Sequence, residues 1–336
     1  MPYPRIYIDA MLVNWGDRLF QEPLRHARAA RLSHVDIRNA AALMRARVAR
    51  TLRRTPEVMV KITNKAGSAQ GLGAVRRHLR YISRNGRIEL EDQNGNRIEG
   101  KEALSDLVKT WQLGGWGIPE ASTRRETFNI LLSMPPGTDR KAVRDAARDF
   151  SAREFGDGRA YVFAAHEDEA HPHVHLSVQV RGPNGRRLNP RHKDLQRWRE
   201  RFAEELREYG VEANATPRRA RGVTQRYPKQ AVIHMVARGE TPRYWKPLPT
   251  DAQCDARWGA HGGVFTAWRE MAYAMARSRM REDRLMAVEM AYFVGAMPVQ
   301  RERPVVGRNP DNGREQPSRQ GPDVDRLDDA TRDMER

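Results

Sequence analysis

The run His166-Glu-Asp-Glu-Ala-His171-Pro-His173-Val-His175 gathers four imidazoles and three carboxylates within ten residues. His173 and His175 stand two apart, and Leu176, Val178 and Val180 continue the alternation on the other parity. Residues i and i+2 of a strand point to one face, so these two rings project together. His166 closes the apolar run Tyr161-Val-Phe-Ala-Ala165, and a strand–turn–strand hairpin would bring it back over the pair. Three neutral imidazoles on one sheet face suit a divalent transition metal, with open positions left for substrate oxygens. His171, which precedes Pro172, is left outside that set. Asp168 is placed to orient an imidazole through its second nitrogen. A lone histidine is ordinarily a surface or satisfied core residue, and a His-rich tract can bind metal by composition alone. The alternation, the β-branched neighbours and the preceding strand are more than composition supplies.

A second constellation centres on Tyr81, in Leu79-Arg80-Tyr81-Ile82-Ser83-Arg84-Asn85-Gly86. One tyrosine among nine is ordinarily structural. This one ends a predicted helix between Arg80 and Arg84, where a phosphate can be held. A tyrosine hydroxyl becomes a nucleophile when its proton is removed or a metal polarises the phosphorus it attacks. Tyrosine, metal and phosphate together describe strand cleavage through a phosphotyrosyl link.

The composition agrees with such a substrate. Across 336 residues, 60 Lys and Arg stand against 43 Asp and Glu, a formal charge of +17. That field favours a polyanion, nucleic acid first among them. A basic membrane-surface protein fits less well, since only 39% of residues are apolar. No run approaches eighteen consecutive apolar residues, so no transmembrane helix is expected. Met1-Pro-Tyr-Pro-Arg5 does not lead a secretory signal. Cys254 is the only cysteine, which excludes an intramolecular disulfide and Cys-based zinc fingers. The chain reads as intracellular.

The elements that must position these residues follow from periodicity. Residues 1–55 form a basic N-terminal extension, in which Ile37, Ala41, Met44, Val48 and Leu52 recur at helical spacing. Arg38, Arg45, Arg47, Arg50, Arg53 and Arg54 fill much of the rest, as a phosphate-binding ridge or a solvated face. A catalytic domain is expected over 56–222. Val58–Ile62 reads as a strand, Gly67–Gly73 as a flexible turn and Ala74–Ser83 as a helix. Arg87–Glu91, Asn94-Gly95 and Arg97-Ile98 form a hairpin signature. A short helix over Leu104–Trp111 precedes a strand over Phe128–Met134, then a helix through Phe150. The two strands flanking the histidine turn, a turn at Pro183-Asn-Gly185 and a charged helix over Asp194–Tyr209 complete the unit. Tight hairpins among the strands favour an α+β sandwich with a largely antiparallel sheet. Beyond it, a basic linker at Pro217–Gly222 leads to a helical accessory region over 223–299 with a helical hairpin at 264–295. The stretch 300–336 is expected to be disordered.

Three blocks, in order, resemble the relaxases of mobilisable and conjugative plasmids, in the P-type branch that includes the T-DNA border nickase. These belong to the His-hydrophobic-His endonucleases. Tyr81-Ile-Ser-Arg-Asn-Gly86 resembles the family's nucleophile motif, and Asn129-Ile-Leu-Leu-Ser-Met-Pro-Pro-Gly137 its middle motif, whose serine maps to Ser133. His166-x-Asp168-x-x-x-x-His173-x-His175 resembles its metal motif. The resemblance spans about residues 56–222. It implies a central, mostly antiparallel five-stranded sheet flanked by helices. It also implies metal ligation by His166, His173 and His175, catalytic roles for Tyr81 and Asp168, and DNA contacts at Arg80, Arg84 and Ser133. The reaction implied is nicking of one strand at a transfer origin, leaving the 5′ phosphate on tyrosine for later rejoining. Mg²⁺ or Mn²⁺ is the implied cofactor, although imidazole ligands by affinity favour later transition metals. Implied partners are single-stranded or supercoiled origin DNA, relaxosome accessory proteins and a type IV coupling protein. The implied location is the bacterial cytoplasm, with export alongside DNA. Rolling-circle replication initiators share these residues, but their tyrosine usually follows the histidine motif, whereas Tyr81 precedes it. A hydrolytic metal nuclease and a non-catalytic DNA-binding accessory protein are the remaining alternatives.

Overall fold

A computed structural model describes residues 2–20, 33–64, 71–223, 230–241 and 250–301. Of the stretch 300–336 expected to be disordered, residues 300 and 301 end a short helix (Pro298–Arg301), and the rest lies outside the described residues, as does most of the turn expected over 67–73. The chain divides into two compact units: Thr55–Ala215, and the residues up to Arg54 together with those from Thr216 onward.

In the second-mentioned unit, helices α1 (Arg5–Phe20) and α2 (His34–Leu52) come from one end of the chain. Helices α9 (Gly262–Ala276) and α10 (Arg281–Gly295) come from the other. Ser33 caps α2 and exchanges hydrogen bonds with Asp36, a reciprocal box that fixes its start. The apolar stripe read from α2 is its packing face: Ala41, Met44 and Val48 join Leu12, Trp268, Met271 and Met290 in one core. Trp268 is fully buried in this core and donates to the Ala220 carbonyl at 2.9 Å. Arg45 is neither a phosphate ridge nor a solvated face. It reaches Asp9 at 2.7 Å and Asp283 at 2.9 Å, joining α1, α2 and α10. The basic run 218–221 is a 3-10 turn closed by Gly222 in the left-handed region.

The unit Thr55–Ala215 is an α+β sandwich about one sheet. Its strands are β1 (Met59–Ile62), β2 (Leu90–Asp92), β3 (Arg97–Ile98), β4 (Thr127–Ser133), β5 (Tyr161–His166) and β6 (His173–Gln179). The order is β1-β4-β6-β5-β2-β3, and every pairing is antiparallel. Six strands replace the expected five. The Asn94-Gly95 hairpin extends the sheet with both of its arms, β2 pairing with β5 and β3 with β2.

Alternation along the strands sends two sets of side chains to opposite faces. Val60, Ile130, Leu132, Phe163, Val174, Leu176 and Val178 face helices α5 (Arg140–Phe155) and α6 (His192–Glu208). Val162 and Ala164 face helices α3 (Leu72–Ile82) and α4 (Gly100–Leu113), whose Leu79, Ile82, Leu104 and Val108 complete a second core. His166, on the parity of Val162 and Ala164, therefore emerges on the α3 side. No helix among the described residues is long and apolar enough to cross a membrane.

Candidate active site

The β5–β6 hairpin pairs His166 directly with His173, and Ala164 with His175. Directly paired residues share a face, so all three imidazoles stand on the α3 side. Their ring centroids are 4.6–5.2 Å apart, and one nitrogen of each lies within 4.8 Å of the others.

Backbone carbonyls set the ring orientations. His166 Nε2 lies 2.7 Å from the Ile82 carbonyl, so that nitrogen carries the proton and donates it. His173 Nδ1 stands 2.9 Å from the His171 carbonyl and does the same. The opposite nitrogens keep their lone pairs. His166 Nδ1 is buried with no hydrogen-bond partner, Asp168 standing 3.9 Å away. Burial holds His166 below its ordinary range. Burial, then the neighbouring His166, His173, His78 and Arg84, push His175 down to about 3. An orphaned buried lone pair beside two further imidazoles fits a cation. The carbonyls of Ile82 and His171 orient two of these imidazoles, while Asp168 stands on the opposite nitrogen side of His166.

Tyr81 reaches this cluster because α3 packs its buried stripe, Leu72, Val75, Leu79 and Ile82, on the sheet. The intervening Tyr81 is left 55% exposed, its ring 5.8 Å from that of His175. Just beyond, the chain reverses through two consecutive left-handed residues, Arg84 (φ 49°) and Asn85 (φ 59°). Gly86 follows at φ 85°, where a Cβ would meet the Gly100 backbone at 2.6 Å; only glycine fits there. This reversal carries Arg84 back over the Tyr81 ring at 5.3 Å and into an ion pair with Asp168. The Arg84 guanidinium holds the Asp168 carboxyl below its usual range. Arg84 thereby links the tyrosine helix to the histidine turn.

Of the remaining expected residues, Ser133 pairs with His173 across β4–β6 and shares the histidine face. It is 3% exposed, and its hydroxyl donates to the Met134 carbonyl at 3.4 Å. Arg80 is exposed, without an ion pair among the described residues. It stands beside the cluster only through its neighbour Tyr81.

Two residues escaped the sequence reading. His78 sits one turn before Tyr81, with its ring 6.3 Å from Tyr81 and 6.4 Å from His175. Burial pushes it down to about 4, and its Nε2 is buried without a partner. A polar residue three before the tyrosine on the same helix was its only signal. Arg140, the first residue of α5, donates to the Glu169 carbonyl at 2.6 Å and the His166 carbonyl at 3.4 Å. It braces the histidine turn, and nothing local in its sequence announces this.

An antiparallel sheet thus presents three imidazoles able to hold a metal ion beside an exposed tyrosine. Residues 81–211 match the family model described as the nuclease domain of MobA/VirD2-like relaxases. The T-DNA border endonuclease VirD2 of Rhizobium radiobacter is 28% identical over 188 residues, 51% of this chain and 44% of that protein. The Agrobacterium fabrum protein of the same name is 28% identical, over 51% of this chain and 42% of its own length. The chain thus spans less than half the length of these curated relatives. A solved chain, described as the molecular basis of vancomycin resistance transfer in Staphylococcus aureus, is 16% identical. It matches 48% of this chain and 99% of that one at a TM-score of 0.30, too loose a likeness to carry an argument.

Proposed function

We propose that this protein nicks one DNA strand at a transfer origin by tyrosine transesterification and later rejoins it. The observation that carries the reading is the exposed Tyr81 ring 5.8 Å from His175, with Arg84 spanning Tyr81 and Asp168. The Tyr81 oxygen attacks the scissile phosphorus in line as its proton passes to solvent. The bond from phosphorus to the 3′ oxygen breaks, leaving a free 3′ hydroxyl once protonated and the 5′ phosphate esterified to tyrosine. One ester replaces another, so bond energy is conserved and the reverse step reseals the strand.

His166, His173 and His175 would hold the divalent ion, Mg²⁺ or Mn²⁺ by the resemblance, which supplies Lewis-acid stabilisation of charge on the phosphate oxygens. The Ile82 and His171 carbonyls keep His166 and His173 in the tautomers that ligation needs. Arg84 places a cation beside the phenol, where a phosphate must come, while Asp168 holds that cation in place. Exposed Arg80 adds a cation next to Tyr81 for the DNA backbone, and Ser133, on the histidine face, belongs to the DNA contacts that the resemblance implies. Accessory proteins of the relaxosome and a type IV coupling protein belong to this proposal as partners, and transfer-origin DNA as substrate.

Incubation with a labelled single-stranded origin oligonucleotide and Mg²⁺ or Mn²⁺, resolved on a denaturing gel, tests it. A protein-sized DNA adduct is expected, with mass spectrometry placing the modification on Tyr81. Tyr81→Phe should abolish the adduct and largely spare DNA binding. Cleavage without any adduct would point instead to water-mediated hydrolysis. An adduct that survives in Tyr81→Phe would remove Tyr81 from its role.

A further inference from the structure

We propose that Trp116 is a base-stacking platform for single-stranded DNA, a second contact remote from the histidine cluster. The inference rests on the reading of this chain as a DNA-nicking enzyme. Trp116 lies in the turn Gly114-Gly115-Trp116-Gly117 that follows α4. It is 58% exposed, and Leu113 beside it is 81% exposed. Large apolar side chains clustered in water mark a surface that something covers.

The ring is held rather than loose. Its indole N–H donates to the Pro183 carbonyl at 3.0 Å. The Arg181 guanidinium stands over it, 5.3 Å from the centroid. Gly185, at φ 75°, closes the turn against the ring, and a Cβ there would meet Trp116 at 2.9 Å. A fixed aromatic surface stacks a base without first losing rotamer freedom.

Charge selects the occupant. Arg187 pairs with Glu126, and Arg159 with Asp157. Arg181 and Arg186, from the same turn, have no carboxylate partner among the described residues. An aromatic ring beneath the uncompensated Arg181 guanidinium, with Arg186 in the same turn, is the chemistry that binds single strands, base on ring and phosphate on arginine. A purely apolar protein partner would have to bury those charges unpaired. The platform is also separate from the reacting centre. β6 runs from His173 to Gln179, and at roughly 3.3 Å per residue its far end lies about 13 Å from His175 and about 20 Å from His173. Trp116 therefore contacts nucleotides well away from the scissile phosphate.

Fluorescence anisotropy with two single-stranded oligonucleotides tests this, one spanning only the nick and one extended on both sides. Trp116→Ala should cut the long-over-short affinity ratio at least fivefold, while Trp116→Phe should keep most of it. In the wild-type protein, an extended oligonucleotide carrying 5-iodouracil should photocross-link to Trp116 on mass spectrometry, a measurement that needs no variant to fold. An unchanged ratio in Trp116→Ala, a ratio lost equally in Trp116→Phe, or cross-links that avoid residues 113–118 would each overturn the platform. Wild-type protein that forms a phosphotyrosyl adduct yet gives any of those results loses the platform alone. Wild-type protein that forms no adduct on either oligonucleotide loses the nicking reading itself.

Discussion

Arg84 holds an arginine backbone at φ 49°, a region that costs an ordinary L-residue about 1 kcal/mol or more. Such strain persists where surrounding contacts over-determine it, commonly at functional sites. Here the ion pair to Asp168 and the approach to Tyr81 are those contacts. Arg84→Gly relieves the backbone and removes the cation in one step. Its unfolding free energy from urea denaturation should therefore match the wild type within about 1 kcal/mol, because the relieved strain offsets a partly exposed ion pair of small worth. Adduct formation should fall at least tenfold in the same variant. A large loss of stability with undiminished chemistry would make Arg84 a structural residue. His78 shows the limit of reading at this scale. On paper it merges with the amphipathic stripe of α3, and only tertiary packing reveals that it borders Tyr81 and His175.

At the scale of elements, α5 is tied to β2 by a charged network. Burial works against the ionised Asp145, but Arg148, Lys141 and Arg144 outweigh it and pull its carboxyl down to about 2. Arg148 also reaches Glu91 of β2 at 2.8 Å. A carboxyl whose folded value lies below its unfolded value, near 4, stabilises the fold above that pH. The contribution is lost as pH falls through about 2. The urea midpoint of the wild type should thus decline between pH 4 and pH 2 more steeply than that of Asp145→Asn. The variant should also be the less stable of the two at pH 7, and parallel curves would show that the network adds nothing. The elements most legible in the sequence are those whose signal is local. The β5–β6 hairpin is written in period-two alternation about a Pro-containing turn, and α3 in its apolar spacing. β3 is only two residues long, so the hairpin signature marked it while the resemblance to a five-stranded family omitted it. Arg140 bracing the histidine turn joins residues 26 and 29 positions apart and leaves no local trace.

For the whole molecule, the net charge of +17 is the property that reaches furthest, and how it is distributed matters more than its size. Many arginines are consumed internally, while Arg80, Arg181 and Arg186 have no carboxylate partner among the described residues. Three phosphate contacts on a single strand imply a slope of about −2 for log affinity against log salt. A slope that steep or steeper is expected by anisotropy, and a flat line would mean the surplus charge serves something other than DNA. The helices at the two ends of the chain form one core, which composition and periodicity concealed because its decisive pairing, Arg45 with Asp283, spans 238 positions. Asp9 is 1% exposed and Asp283 6%, and Ser278 donates to Asp283 at 2.7 Å, so both carboxylates sit where water cannot solvate them well. Arg45 is the cation they share. A buried ion pair adds little over an apolar replacement of the whole set, but removal of one member strands the others. Arg45→Met should therefore destabilise this helical unit by roughly 3–5 kcal/mol. The triple variant Asp9→Leu, Arg45→Met, Asp283→Leu should recover much of that loss in urea denaturation, since no unpaired charge remains in its core. If the single variant unfolded at the wild-type midpoint, Arg45 would be an incidental neighbour of the two aspartates, and apolar packing around Trp268 and Met271 would alone hold α1 and α2 against α9 and α10.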